Sequence, residues 1–382
     1  MKMKQYLFSL LRKIFREKHL GYKVRYEFLG LHINASPLKY LRREIKNIID
    51  NSHQFKKVII LFNHTGETSF LLSGLYHHLN REELKDILFV GTVGYHKDLI
   101  NLYCPTNNYI FRPDLNWVHL RWDVPENSFD IKGTTVIMTP TLKYFAEYEK
   151  TIRDNSSFPH FYRNLFEKNK NFYEPENIKP FLSKQQKIWV STKLKILDVH
   201  KKYILISNES ASNINFPWTF WFTLSHKLRL LGYDVVFNTF INSPASSIGK
   251  SFFATLGEGL EVTRHAECLI ALRSGFLDLS LPVAKQMIVL YTPFKFRSRE
   301  LPIMTAAKVQ KAFSLKEIPC KHKCNINELI IENPENVDFT KLIDMVINSI
   351  APPPIKIFRR IILRLIFLLN NFRYLSFSLE LS

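Results

Sequence analysis

Two textures alternate along the chain. Short runs dominated by β-branched and other apolar residues, "KKVIILFN" (56–63), "DILFVGT" (86–92) and "TTVIMTP" (134–140), are separated by stretches whose apolar residues recur at helical spacing. A second series, "KYILISN" (202–208), "YDVVFNT" (233–239), "ECLIALR" (267–273) and "QMIVLYT" (286–292), repeats the pattern beyond residue 200. Unbroken apolar runs of this length predict strands covered on both faces, and their alternation with helices predicts β-α-β units in parallel sheets. Helices are expected at about 217–231, 244–256 and 276–285. Between about 145 and 200 the rhythm lapses into text rich in Asn, Lys, Phe and Tyr, an insertion or interdomain connection with some helix. Two Rossmann-like halves in one chain are the simplest account.

The ends of the chain read differently. In residues 1–20, Tyr6, Leu7, Leu10, Leu11 and Ile14 share one helical face flanked by Arg12, Lys13 and Arg16, a basic amphipathic helix that packs on its own domain or on a membrane. After "APPPIK" (351–356) comes a strongly apolar segment interrupted by Arg359, Arg360, Arg364 and Arg373. It lacks a clean run of about 18 apolar residues, which argues against a spanning helix. A helix lying in the membrane interface, with its arginines on anionic headgroups, fits this pattern; packing back on the first domain is the competing arrangement. The expected organisation is a basic segment (1–50), a first Rossmann-like domain (51–195), a second (196–350) and a C-terminal amphipathic helix (351–382).

Charge changes this picture by naming the kind of partner. Lys and Arg number 53 against 34 Asp and Glu, a formal net charge of +19, which favours polyanions or anionic surfaces. The clearest basic clusters are terminal and mixed with aliphatic residues, an arrangement that argues for a membrane surface and against nucleic acid. Four cysteines at irregular spacing do not make a disulfide framework, and no signal peptide is read at the start. A reduced, cytoplasmic protein is expected.

Candidate chemistry gathers where strands give way to helices. "ALRSGFLD" runs from a buried strand through Arg273, Ser274 and Gly275 into an apolar helical pattern. In an open α/β sheet, ligands sit beyond the carboxyl ends of strands, where helix starts offer unpaired N–H groups to anions. An arginine there suits a phosphate through two parallel hydrogen bonds; the competing reading pairs Arg273 with Asp278 or Glu267. The polar loop after 203–207, with Ser207, Asn208, Glu209 and Asn213, occupies the equivalent place one strand earlier. In the first half, His64, Gly66 and Glu67 follow the first strand, and His96 and Lys97 follow the second. "SPASSIGKS" ends like a phosphate-binding loop, but Pro244 stands where its first glycine belongs, leaving Lys250 as a candidate cation. "CKHKC" (320–324) lacks the second ligand pair a structural zinc needs, and no Asp-x-Asp is present, so no metal or other cofactor is expected.

The strand, small-polar loop and Pro217-Trp218 helix start, with the later Ser274-Gly275 pair, resemble the nucleotide-sugar-binding half of GT-B glycosyltransferases, above all the heptosyltransferase family. "ALRSGFLD" also resembles bacterial capsule and lipopolysaccharide glycosyltransferases and, more loosely, α-1,6-fucosyltransferases. The resemblance covers roughly residues 56–80 and 200–295. It implies two Rossmann-like domains facing a central cleft. The donor would be a nucleotide sugar held by Arg273, Ser274, Gly275, Ser207, Asn208, Glu209, Asn213 and Lys250, with His96 and Lys97 on the acceptor side. Heptosyltransferases carry Gly-Asp after the first strand, the acid serving as base; here Gly66-Glu67 stands there, so that role passes to Glu67, with His64 its competitor. Two departures are evident: Arg273 replaces the acid usually found before the Ser/Thr-Gly pair, and Asn213 and Asn215 stand where a basic residue is expected. The implied activity is inverting, metal-independent transfer to a lipid-linked surface glycan at the inner face of the cytoplasmic membrane. A non-catalytic basic module and a nucleotide-sugar epimerase are the rival readings.

Overall fold

The computed structural model describes residues 16–20, 23–28, 31–35, 37–51, 55–62, 64–115, 128–139, 178–199, 202–210, 213–239, 243–295, 304–318 and 320–350. The C-terminal segment 351–382 and residues 1–15, with the helices expected in them, lie outside this set. Arg16–Leu20 (β1), expected at the end of the first of these helices, is a strand. With Lys23–Phe28 (β2) and Leu31–Ala35 (β3) it makes a small antiparallel sheet. Next comes helix α1 (Pro37–Asp50), whose Leu41, Ile45, Ile48 and Ile49 are buried against the first large sheet. This helix is therefore part of the first α/β unit, although the sequence pattern set it apart.

The first large sheet contains β4 (Lys57–Leu61), β5 (Ile87–Gly91), β6 (Tyr109–Phe111), β7 (Ser128–Ile131) and β8 (Thr134–Met138), in the order β6-β5-β4-β8-β7. All pairs are parallel except β7 with β8, a hairpin turned by Lys132 and Gly133 at positive φ, as a two-residue loop between right-twisted strands requires. Helices α2 (Thr65–His78), α3 (Arg81–Lys85) and α4 (His96–Tyr103) make its crossovers. Helix α5 (Lys184–Ile196) then leads into the second half.

The second sheet is wholly parallel. It comprises β9 (Tyr203–Ser207), β10 (Asp234–Asn238), β11 (Lys250–Phe252), β12 (Cys268–Leu272), β13 (Gln286–Tyr291) and β14 (Asn325–Ile330), in the order β11-β10-β9-β12-β13-β14. Numbered from its own first strand this is 3-2-1-4-5-6, the Rossmann order, with its topological switch between β9 and β12. The connecting helices are α6 (Trp218–Leu230), α7 (Ala245–Ile248), α8 (Leu256–His265), α9 (Gly275–Ser280), α10 (Ala306–Phe313) and α11 (Phe339–Ser349). The expected helix at 244–256 is broken into α7, β11 and the approach to α8. Gly249, extended at the break, suits the close approach of β11 to β10: a Cβ there would lie 3.2 Å from the Val235 carbonyl and would push the Arg229 side chain aside.

Alternate residues of each strand serve different cores. On β4, Val58 and Ile60 face α1, whereas Ile59 and Leu61 join a cluster containing Phe70, Leu71 and Leu75 of α2. On β9, Ile204 and Ile206 face Phe220 and Leu224 of α6; Leu205 joins the same cluster as α2. One apolar cluster thus runs through both halves, so the fold is α/β with two parallel-dominated sheets joined through the helices between them. Cys104 and Cys268 are buried, Cys320 and Cys324 partly so, and none is bridged.

Candidate active site at the junction of the sheets

The carboxyl ends of β4 and β12 each feed a helix, α2 and α9, and the first turns of these helices meet. A Cβ on Gly66 would come within 2.3 Å of Asp278 Oδ2, and one on Gly275 within 3.0 Å of the Gly66 nitrogen. Glycine at both places is what allows two backbones from different halves to approach this closely.

Beneath this contact lies a buried ion pair. Arg273 donates from Nη2 to Asp278 Oδ1 at 2.5 Å and from Nη1 to Oδ2 at 3.2 Å. It also donates from Nη1 to the Ser274 carbonyl and from Nε to the Phe313 carbonyl, with its guanidinium over the Phe313 ring. Both partners are almost fully buried. Of the two roles weighed for Arg273, the geometry is that of the structural pair, with Asp278 and not Glu267 as its carboxylate. Burial pushes the Asp278 carboxyl up, and Glu67 nearby adds to this, while Arg273 opposes both. Tyr103 of α4, completely buried, also feels Asp278; its hydroxyl is pushed up by burial and has no hydrogen-bond partner among the described residues.

Glu67 sits half-buried in the first turn of α2, where Oε2 accepts the His64 N–H at 3.0 Å. The negative carboxylate is favoured at this helix start, and the bond fixes its rotamer. His64, the N-cap residue, is exposed beside it. Tyr95 lies on the same side, its hydroxyl pushed up to about 12 by burial and by Glu67.

The loop after β9 lies at the switch point. Asn208 is only 2% exposed, and its Oδ1 has no partner among the described residues. Glu209 Oε1 accepts from Thr239 and Ser243, which ties the loop to the end of β10. Asn213 Nδ2 and Ser210 Oγ both donate to the Arg273 carbonyl, at 2.7 and 3.1 Å, tying it to the end of β12. Ser207 ends β9 in register with Ala271. Ser274 is the N-cap of α9, yet its hydroxyl makes no capping bond. Ser207, Asn208, Glu209, Asn213, Arg273, Ser274 and Gly275 therefore gather at the carboxyl ends of β9 and β12, where Gly275 meets Gly66 in the first turn of α2, the turn that also carries Glu67 and follows His64.

Two expected residues, His96 and Lys250, do not share that role. His96 is buried, and its Nδ1 accepts the N–H groups of Thr92 and Val93 at 3.1 and 3.3 Å, so the ring closes the β5–α4 turn instead of facing an acceptor. Lys97, its neighbour, is exposed on α4. Lys250 turns toward the amino ends of the strands, where its amine meets Asp234 and the Asp198 carbonyl, away from the carboxyl ends of β9 and β12. The phosphate-loop-like text around it was a local coincidence without the strand-to-helix geometry. Asp278 was read from the sequence as a partner for Arg273, whereas Tyr95 and Tyr103 were not singled out. Their sequence contexts are ordinary helix turns, and only the meeting of the halves gives them a place.

No protein-family model matches the chain, and no curated protein sequence does. Among solved structures the chain is similar to E. coli ADP-heptose lipopolysaccharide heptosyltransferase II, with TM-score 0.44 and 11% identity over 78% of this chain and 98% of that one. The E. coli heptosyltransferase WaaC with ADP-2-deoxy-2-fluoro heptose gives TM-score 0.42 and 10% identity, over 77% and 99%. A glycosyl transferase family 9 protein from Veillonella parvula gives TM-score 0.40 and 10% identity, over 78% and 97%. The chemistry of this junction rests on this chain's own residues.

Proposed function

We propose that this protein is a glycosyltransferase of GT-B architecture that moves a sugar from a nucleotide-activated donor to a hydroxyl of a surface glycan, capsular or lipopolysaccharide, with inversion and without a metal. One observation carries the reading: the carboxyl end of the Rossmann switch point of the second sheet, with Asn208 Oδ1 lacking a partner among the described residues, adjoins the helix start of the other half that carries the Glu67 carboxylate. A buried acceptor atom without a donor favours a ligand that brings an N–H or O–H group, which a nucleoside or a sugar does.

In the proposed reaction, Glu67 takes the proton of the acceptor hydroxyl through the oxygen not engaged by His64. The acceptor oxygen bonds to the anomeric carbon as the bond to the diphosphate breaks, which inverts that centre. Ser207, Ser274 and the Gly275 N–H face the departing diphosphate. Arg273 acts at one remove: its carbonyl anchors Ser210 and Asn213 and its guanidinium anchors Asp278, so it positions the donor loop. The net charge of +19 suits work on a lipid-linked acceptor at the inner face of the cytoplasmic membrane, with residues 351–382 as one anchor. Among the described residues, no helix is long and apolar enough to cross a membrane.

A thermal-shift screen of nucleoside diphosphates and nucleotide sugars tests the donor. A ligand at about a hundred times its Kd adds about 2.7 kcal/mol to stability, a shift of several degrees. If no nucleotide raises the melting temperature, the reading fails. With a donor in hand, Glu67→Gln is expected to retain its binding and lose about 10²–10⁴-fold in turnover. Normal turnover in that variant and loss in His64→Ala would exchange the two roles.

A further inference from the structure

Helix α5 carries a face that is exposed among the described residues. Lys184, Ile188, Ser191 and Lys195, at spacings of four, three and four, are all exposed, and Ile188 and Ile196 are 55% and 70% accessible. An isolated exposed aliphatic residue is ordinary, but here the setting is one-sided. The helix, KQQKIWVSTKLKI, has four lysines and no carboxylate. Among the described residues none of Lys184, Lys187, Lys193 and Lys195 forms an ion pair, whereas Lys202, Lys250 and Lys285 all do. The opposite side of the helix is firmly seated. Val190 is buried, Trp189 packs edge-on against Phe252 with ring centroids 6.2 Å apart, and Ser183 caps the first turn by accepting the Gln186 N–H.

Along the flank of this face runs a groove of about 520 Å³, between α5, the amino end of β9 and the last turn of α8. Val190, Leu194 and Val199 form its apolar wall, and Lys195, Lys202 and His265 its polar rim. Lys202 shares Glu267 with Lys285, and His265 shares Glu261 with Arg264, so lysines and arginines still outnumber carboxylates around the opening. An apolar wall beneath a cationic rim, beside isoleucines standing among lysines, complements an anionic headgroup with its acyl chains behind it. Nucleic acid has no use for the isoleucines, and a soluble anion has none for the apolar wall.

We infer that the α5 face is a docking surface for an anionic phospholipid bilayer, with one headgroup phosphate held in the groove at Lys195 and Lys202. Ile188 and Ile196 enter the headgroup boundary, and Lys184 and Lys187 lie on its negative surface. This takes up the membrane association proposed above and rests on that part of the reading, while being independent of the sugar chemistry. It adds a second surface, on the folded body of the protein.

Co-sedimentation of the full chain with phosphatidylcholine vesicles, with and without phosphatidylglycerol, tests the surface. The unaltered chain is expected on the anionic vesicles and not on the neutral ones. Each lysine near such a surface is worth about fivefold in partition, so the triple variant Lys184→Gln, Lys187→Gln, Lys195→Gln should lose about 100-fold at low salt. Ile188→Ser with Ile196→Ser should lose about tenfold, even with all lysines present. Both variants alter exposed side chains, and unchanged melting curves would verify their folds. A separate full chain carrying Arg359→Gln, Arg360→Gln, Arg364→Gln and Arg373→Gln supplies the contrast. Full vesicle binding by the lysine variant, with loss confined to the arginine variant, overturns the inference. So does equal binding to neutral vesicles, or capture by duplex DNA that the isoleucine changes leave intact. The nucleotide screen separates the two readings: vesicle binding without any nucleotide effect leaves the surface standing and removes the transferase.

Discussion

Arg273 illustrates how one residue's role turns on what its neighbours require. A guanidinium this deeply buried needs its charge matched and its N–H donors engaged, and Asp278 with the carbonyls of Ser274 and Phe313 accepts four hydrogen bonds from it. Arg273→Ala would leave Asp278 buried without its partner, so a loss of about 3–5 kcal/mol of stability is expected, read as a lowered denaturation midpoint. The double variant Arg273→Ala, Asp278→Ala should be less damaged than the sum of the singles, because neither charge is then stranded. Additive losses would mean the two residues act separately. Gly66 is the second sensitive position. Gly66→Ala drives a methyl group into Asp278 and should both destabilise the protein and weaken nucleotide binding, whereas the same change at Gly94, with open space around it, should do neither.

At the scale of elements, helices α4 and α8 bring Asp98 and Glu258 near each other. Burial pushes the Asp98 carboxyl up first, and Glu258 raises it further, against a smaller opposing effect of Lys97. A carboxyl raised in the folded state favours folding while protonated. Its contribution is present below the unfolded value, about 3.9, and lost as pH rises through the folded one. Asp98→Asn should therefore raise the melting temperature at pH 7, by up to about 2 °C, and the advantage should vanish as the pH approaches 4. An unchanged difference across that range would remove the electrostatic explanation.

These elements also mark how far the sequence could be read. The seven strands found from apolar runs are those covered on both faces, where periodicity and burial say the same thing. Strand β14, "NINELI", was missed because it is a half-exposed edge with Asn and Glu among its isoleucines. Helix α5 lies in the stretch where some helix was expected, but its bounds were not legible, because its exposed isoleucines blur the amphipathic pattern that would fix them. The loop of Ser207 to Asn213 and the Ser274-Gly275 turn were legible, since strand-to-loop junctions carry their chemistry locally. Lys250 and His96 were not, because which edge of a sheet a side chain reaches depends on register and packing.

For the whole molecule, the decisive feature is the apolar cluster common to both halves. Two domains with separate cores unfold in two steps, but here Phe70 and Leu72 of the first half and Leu205, Leu269 and Met287 of the second belong to one cluster. Calorimetry is expected to show a single transition, and two resolved peaks would mean that the junction contributes little. The sulfur atoms can record the same event one molecule at a time. Cys104 closes α4 in the first half and Cys268 opens β12 in the second; burial pushes the Cys104 thiol up to about 12 and the Cys268 thiol up as well, so neither has appreciable thiolate while its surroundings are intact. An alkylating reagent present during a denaturant titration would mark each only in molecules whose corresponding half has opened. A mass spectrum of the products then becomes a census of partly opened molecules. If the halves yield together, chains marked at one of these two positions but not the other should be scarce at every denaturant concentration.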